Sequence, residues 1–186
     1  MLPRGHARSL VDYLRVHPQD FRGAVARLRP ELRGLYLSAY QSHLWNRILA
    51  RWLREQVPAK HLRPIALRLG DVPIPTQLDG ATAELLATLH IPLPSARLKL
   101  DPGHPGAAAT QAVLAEEGLE MRDLQVRGVR EMFFSKGDRA VLCRPQGLTF
   151  AFAADEKHPR RLKLELAFDL PRGSYATLVV KAVTRS

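Results

Sequence analysis

Apolar side chains alternate with polar or small ones from residue 162 to residue 170, and this pattern constrains the fold more than any other feature of the chain. The apolar members are Leu162, Leu164, Leu166, Phe168 and Leu170. A period of two predicts a β-strand with one dry face and one face in water. The strand should end at Pro171 and Gly173, because proline cannot donate to a ladder and glycine permits the backbone angles of a tight turn.

Tyr175 follows this predicted turn directly. A rigid strand and turn could aim its ring at a ligand. The alternative is that the ring packs in the core, as most aromatic side chains do. The alternation alone leaves both interpretations open.

A second strongly periodic segment lies between residues 35 and 49. Its apolar residues recur at intervals of three and four, which predicts a long amphipathic helix. The stripe consists of Leu37, Tyr40, Leu44, Ile48 and Trp52. Pro30 and Glu31 suit the first turn of this helix, and Pro58 lies beyond its end near Glu55.

Two motifs in these segments closely resemble the TruD family of tRNA pseudouridine synthases. The helix carries the family's Ala-Tyr-Gln-Ser pattern at 39–42, followed by Leu-Trp-Asn at 44–46. The tail carries its Leu-Pro-x-Gly-Ser-Tyr-Ala-Thr pattern at 170–177, and residues 133–139 are similar to a further family segment. The resemblance covers most of the chain from about Asp20 onward.

The resemblance implies an α+β fold in which helices and strands of a pseudouridine synthase core are interrupted by a small α/β insertion domain. Residues 1–58 would form the helical part of the catalytic core, with helices predicted at 9–16 and 20–28 before the long one. Residues 59–147, rich in proline and glycine, would form the insertion, with helices at 81–89 and 105–117 and a short strand at 140–143. Residues 148–186 would return to the core as strands at 148–152 and 162–170. After Ser174 helix and strand both remain open, because Ser174 could cap a helix while Thr177, Val179, Val180 and Val183 favour a strand.

The resemblance also implies an activity, the isomerisation of the uridine at position thirteen of tRNA to pseudouridine, without cofactor or metal. Tyr175 would occupy the position of the family's C-terminal aromatic residue near the target uridine. Gly173 and Ser174 would shape the turn that presents this ring, and Arg172 is a candidate phosphate contact. These four are the expected substrate-binding residues.

One departure from the family is large. The family's catalytic aspartate lies in a Gly-x-Lys-Asp type segment before the long helix, near a Phe-Gly-x-Gln-Arg-Phe-Gly type segment, and neither occurs here. None of the nine aspartates has a matching context. We therefore expect the C-terminal part of such an enzyme, inactive alone, with the missing N-terminal part as a partner. Loss of partner strands would also expose sheet edges and an apolar face.

Charge is distributed unevenly along the 186 residues. Residues 1–69 carry a net charge of +9, residues 70–157 carry −3, and residues 158–186 carry +4. Basic charge concentrated in two flanks suggests a polyanionic partner, consistent with tRNA. A non-catalytic RNA-binding module is the alternative function.

Other classes of function lack their sequence signatures. The seven histidines show no metal-ligand spacing, and a Gly-x-Ser-x-Gly elbow and a glycine-rich phosphate loop are absent. Apolar runs are far shorter than a membrane span, and the first residues do not resemble a signal peptide, so we expect a cytoplasmic protein without a membrane partner. The single cysteine, Cys143, excludes an internal disulfide, and we expect it to pack as a small core residue.

Overall fold

A computed structural model describes residues 6–67, 69–126, 128–129, 132–171 and 173–184. Helices and short antiparallel sheets are mixed along the chain, so the predicted α+β class is confirmed. The helices are α1 (His6–Val16), α2 (Phe21–Ala26), α3 (Pro30–Gln56), α4 (Gly80–Thr88), α5 (Ala107–Glu116) and α6 (Ala176–Thr184). The strands are β1 (Leu62–Leu67), β2 (Gly70–Pro75), β3 (His90–Pro92), β4 (Asp138–Ala140), β5 (Gln146–Ala154) and β6 (Leu162–Asp169). No helix in these ranges has the length and apolarity that a bilayer crossing needs.

The chain divides into two compact units. Unit 1 comprises residues 1–56 and 91–138, and unit 2 comprises residues 57–90 and 139–186. These bounds follow spatial proximity, whereas the three segments predicted above follow sequence texture and family resemblance. The assignment of residues 59–147 to an insertion domain therefore stays a prediction.

Helix α3 dominates unit 1. Its predicted stripe is confirmed, since Leu44, Ile48 and Trp52 are almost fully buried and Leu37 is buried. The helix packs against α5 within the same unit. Asp20, the N-cap of α2, accepts a hydrogen bond from Gly23 N at 2.8 Å, which satisfies one free donor of the first turn.

Two antiparallel hairpins make up most of the sheet structure of unit 2. In β1–β2, Pro64 lies opposite Pro73. A two-stranded ribbon has two open edges, so proline can occupy positions whose missing N–H would face outward. The sequence analysis predicted no strands here, because proline within a run argues against a strand.

The second hairpin, β5–β6, confirms the two predicted strands but not the dry face. Phe150 pairs with Leu166 and Phe152 with Leu164, which places these side chains on one face. Phe150 is 69% exposed, Phe152 65% and Leu162 72%. We call this the open apolar face, formed by residues 150, 152, 162, 164 and 166. The prediction of a dry face was wrong for this chain, because a two-stranded sheet supplies no further layer to cover it.

The structure decides one open alternative and corrects one predicted strand. The segment after Ser174 is the helix α6, and Arg63 of β1 donates from Nη2 to the carbonyl of Ala182 in its last turn at 3.0 Å. A cation at a helix C-terminus satisfies a free carbonyl and suits the helix dipole. The strand expected at 140–143 is instead β4 at 138–140, so Cys143 lies past its end and is exposed rather than packed in the core.

Candidate nucleic-acid interface

A tight turn follows β6 and ends at Tyr175. Ser174 N donates to the carbonyl of Pro171 at 3.1 Å, which closes a four-residue turn. Gly173 has φ +89°, a positive value that glycine adopts without the strain a side chain would cause. Arg172, the predicted phosphate contact, lies outside the described residues. A bend is therefore present where the sequence predicted one from Pro171 and Gly173. The roles of Gly173 and Ser174 in presenting Tyr175 to a substrate stay predictions.

Tyr175 lies between this turn and the first turn of α6. Its carbonyl accepts from Leu178 N at 3.0 Å, so its backbone is fixed by the start of the helix. The side chain is 40% exposed, which leaves part of the ring accessible to a ligand. A held backbone with a partly open ring is the arrangement that a stacking platform needs. Its role as a substrate contact stays a prediction.

Arg139, the middle residue of β4, is a neighbour of Tyr175 that the sequence analysis did not select. Its guanidinium carbon lies 6.0 Å from the centroid of the Tyr175 ring. A Cβ added to Gly173 would lie 3.9 Å from Arg139 Nε, so the guanidinium also packs beside the turn. Residue 139 ends the family-like segment 133–139, and that position was the only available signal. Tyr175, Gly173 and Arg139 together form what we call the Tyr175 cluster, all within unit 2.

The motif on α3 has a structural role in unit 1. Gln41 is 3% exposed and donates from Nε2 to the carbonyls of Pro94 at 3.0 Å and Ser135 at 2.8 Å. Its Oε1 accepts from Ser135 N at 3.2 Å. Trp45 Nε1 donates to the carbonyl of Ile91 at 2.9 Å. Because buried backbone groups must be paired, these two side chains supply hydrogen-bond partners for backbone groups of β3 and of the segments at Pro94 and Ser135.

Ionic and hydroxyl contacts join α3 to the end of α5. Arg47 forms ion pairs with Glu116 and Glu117, and Arg51 pairs with Glu116. The Tyr40 hydroxyl donates to Glu117 Oε2 at 3.2 Å. Burial, reinforced by the Glu117 carboxylate, raises the pKa of Tyr40 above its ordinary value. Tyr40 therefore remains a neutral donor, and this cluster stabilises packing rather than offering a reactive group.

Unit 1 also has an open groove of about 730 Å³ between α1 and the end of α2, lined by Arg8, Ser9, Asp12, Tyr13, Val16, His17 and Arg27. Its cations are already engaged, since Arg27 lies 4.1 Å over the Tyr13 ring and Arg8 pairs with Asp12 at 3.7 Å. The Tyr13 hydroxyl donates to Asp20 at 2.6 Å, which lowers the pKa of that carboxyl and raises the pKa of the phenol. Charges of both signs nearly balance here, so the groove favours a polyanion less than the sequence charge suggested.

Metal-binding chemistry has no candidate in the described ranges. No group of three or more His, Cys, Asp or Glu side chains there could hold a metal ion. The only titratable side chains in the Tyr175 cluster are the phenol and a guanidinium. The cluster can therefore stack on a planar ring and attract an anion, but it contains no carboxylate that could act as a nucleophile.

Comparison with known proteins agrees with the motifs. The family profile described as "tRNA pseudouridine synthase D (TruD)" matches residues 2–183. The chain is 32% identical over 181 residues to the "Probable tRNA pseudouridine synthase D" of Methanopyrus kandleri, covering 97% of this chain and 40% of that protein. It is 31% identical over 191 residues to the "tRNA pseudouridine synthase D" of Geobacter metallireducens, covering 97% and 44%.

A solved structure is similar over the same extent. A crystal structure from Methanosarcina mazei that carries the TruD name superposes with a TM-score of 0.65 at 25% identity, covering 98% of this chain and 45% of that one. The chain thus spans about two fifths of the length of the relatives it matches. Because the family profile matches nearly the whole chain, the chain belongs to the TruD family of tRNA pseudouridine synthases.

Proposed function

We propose that this chain is the part of a TruD-type enzyme that binds tRNA and places Tyr175 beneath the target uridine, the one at position thirteen. The observation that carries the proposal is the Tyr175 ring, partly exposed on a closed turn in the family's C-terminal motif. Family membership supports tRNA as the substrate. The cytoplasm, where tRNA is available, is the proposed location.

The reaction explains why an aromatic platform is needed. The bond between ribose C1′ and uracil N1 breaks, a bond from C1′ to C5 forms, C5 loses its proton and N1 gains one. A base within a helical stack must first be extruded for an enzyme to reach these atoms. Stacking on an aromatic side chain is worth about 1–3 kcal/mol per base and would offset part of the extrusion cost. Tyr175, on its fixed turn, would supply that stacking energy.

The nucleophile would come from polypeptide equivalent to the part of the relatives that this chain does not match. None of the nine aspartates lies in the family's catalytic context. The reaction needs no cofactor or metal in this scheme. Every bond that breaks or forms lies within the nucleotide, and a protein carboxylate is the only catalytic group required.

The open apolar face is a candidate contact surface for the missing N-terminal part. Its aromatic residues Phe150 and Phe152 lie with ring centroids 6.0 Å apart, edge to face. Large apolar side chains grouped on one face commonly mark a surface that another element covers. We propose that the equivalent of the N-terminal part of the relatives covers this face and continues the sheet past the edges of β5 and β6.

Tritium release from tRNA labelled at uracil C5 tests the proposal, because formation of the C1′–C5 bond expels that hydrogen. We expect no release with the 186-residue chain alone. We expect release, dependent on a uridine at position thirteen, when the N-terminal part of a relative such as that of Methanopyrus kandleri is added. Release by the chain alone would show that the nucleophile is one of the nine aspartates. Binding of tRNA without release under either condition would favour the non-catalytic module instead.

A further inference from the structure

We propose that Arg139 is a second RNA-contacting residue, whose guanidinium binds the backbone phosphate beside the base stacked on Tyr175. This inference rests on the proposed function and deepens it, because it names the group that would bind the sugar–phosphate chain at the stacked nucleotide. The ligand is an RNA phosphodiester.

The distance between the two side chains suits one nucleotide. The Arg139 guanidinium carbon lies over the Tyr175 ring, 6.0 Å from its centroid, close enough for one nucleotide to reach both side chains. This distance is at the outer limit of a cation–π contact, so the aromatic ring gains little from the arginine itself. Arginine suits a phosphate because its planar fork of donors matches two phosphate oxygens.

The turn lies close to the guanidinium. A Cβ added to Gly173 would lie 3.9 Å from Arg139 Nε. Arg139 is half-buried, so its stem has less freedom to lose on binding than an exposed arginine has. Gly173 is thus needed for its φ of +89° and also lies where the turn meets the arginine.

The opposing interpretation is that Arg139 only supports the Tyr175 ring. The two interpretations differ in the salt dependence of RNA binding. A phosphate contact releases counterions, so its loss reduces the slope of log affinity against log salt by about 0.7–0.9 per contact. A supporting residue changes affinity without changing that slope.

Arg161 is a matched control in the same unit. It is exposed and precedes β6, whereas the Tyr175 turn follows β6 at the opposite end. Eight extended residues separate the two ends by roughly 25 Å. One nucleotide cannot contact both Tyr175 and Arg161.

The experiment measures binding of an unmodified tRNA transcript across a salt series for the wild-type chain, Arg139→Gln, Arg139→Lys, Arg161→Gln and Tyr175→Ala. We expect Arg139→Gln to weaken binding about 5- to 30-fold at low salt and to reduce the slope by about one contact, with Arg139→Lys retaining most of the slope. Tyr175→Ala should weaken binding at an unchanged slope. In double-mutant cycles Arg139 and Tyr175 should be non-additive, while Arg161 and Tyr175 should be additive.

An unchanged slope in Arg139→Gln, or additivity of Arg139 with Tyr175, would overturn this inference and leave the proposed function standing. Absence of tRNA binding by the wild-type chain would overturn the proposed function and this inference together. If Arg139→Gln fails to fold, as judged by its thermal unfolding, Arg139→Met, which keeps the aliphatic stem and removes the charge, replaces it in the salt series, and an unchanged slope in that variant would overturn the inference.

Discussion

At the scale of single residues, the two family motifs have different tasks. Tyr175 lies partly open beside a turn, whereas Gln41 is buried with both ends of its amide bonded to backbone. We propose that one motif presents a side chain to a ligand, whereas the other closes a core. The distinction comes from burial and hydrogen bonding, because both motifs are equally prominent in the sequence.

Replacement of Tyr175 should affect binding more than folding. Tyr175→Phe keeps the ring and should leave tRNA affinity nearly unchanged. Tyr175→Ala should weaken binding by about 5- to 150-fold, the equivalent of 1–3 kcal/mol of lost stacking. Tyr36→Ala, which removes another exposed tyrosine, is the control for nonspecific effects. A loss of about 3–5 kcal/mol of unfolding free energy in Tyr175→Ala would instead show that the ring is part of the core.

Replacement of Gln41 should affect folding first. Gln41→Ala would leave the N–H of Ser135 and the carbonyls of Pro94 and Ser135 without this partner. Each unsatisfied buried group costs about 1–3 kcal/mol, so we expect a loss of about 2–4 kcal/mol after partial access of water. Denaturant unfolding measures it, with Gln56→Ala at the exposed end of α3 as the control. Equal stability of the two variants would contradict the structural role of the motif.

At the scale of elements, β5–β6 is the part whose surroundings matter most. Its open apolar face carries Phe150 and Phe152, while Lys163 on the other face pairs with Glu156 and Glu165. The hairpin thus has the two-sided pattern of a sheet that is covered on one side. The sequence alternation predicted that pattern correctly, but it could not show whether a covering layer lies within this chain.

Polar substitution of the open apolar face should cost the isolated chain little. We expect Phe150→Thr with Phe152→Thr to change the unfolding free energy by less than about 1 kcal/mol, because both rings are already in water. Trp52→Ala, the buried control, should cost about 3–5 kcal/mol. The same double variant should prevent tritium release with the added N-terminal part. Undiminished release would show that the face is not where the two parts meet.

The N-cap of α4 predicts how the stability of the chain changes at acid pH. Asp79 Oδ1 accepts from Thr82 N at 2.8 Å, and the Thr82 hydroxyl donates to Oδ2 at 2.9 Å. These bonds, the backbone one first, lower the pKa of Asp79 from its ordinary 3.8. The cap therefore stabilises the fold fully at pH values above the ordinary pKa of Asp79. This stabilisation is lost as the pH falls through the lowered pKa of the folded state.

Thermal unfolding at neutral pH and at about pH 2 should show this loss. Asp79→Ala should melt below the wild-type chain at neutral pH and approach it in acid. Asp79→Ser, which keeps an oxygen acceptor that does not titrate, should retain most of the cap at both pH values. A gap between wild type and Asp79→Ala that persists unchanged in acid would contradict the capping role.

At the scale of the whole molecule, local patterns predicted elements, whereas contacts between distant residues required the structure. Helix α3 was predicted to within a residue or two because Pro30 begins it and its stripe spans several turns. The β1–β2 hairpin was missed because its prolines imitate a loop. Arg139 could not be associated with Tyr175, nor Ser135 with Gln41, since each pair is far apart in sequence and joined only by tertiary folding.

Net charge is another property for which the sequence predicts a total and only the structure shows the contacts. The value of +10 and its concentration in the flanks indicated a polyanion, but they could not show which cations are already paired. Arg47 and Arg51 are used in ion pairs on α5, and Arg27 lies on an aromatic ring. The Tyr175 cluster, with one cation, is the more specific candidate because its charge accompanies an accessible ring.

Photo-crosslinking tests the central claim most directly. A tRNA transcript with 4-thiouridine at position thirteen is irradiated with the chain, and the adduct is located by mass spectrometry after trypsin digestion. Cleavage after Arg172 and Lys181 leaves Tyr175 as the sole aromatic residue of the peptide 173–181. We expect the adduct on that peptide, at Tyr175, and its loss when the thiouridine is moved to another position. An adduct confined to peptides of unit 1 would contradict the proposal that Tyr175 contacts the target uridine.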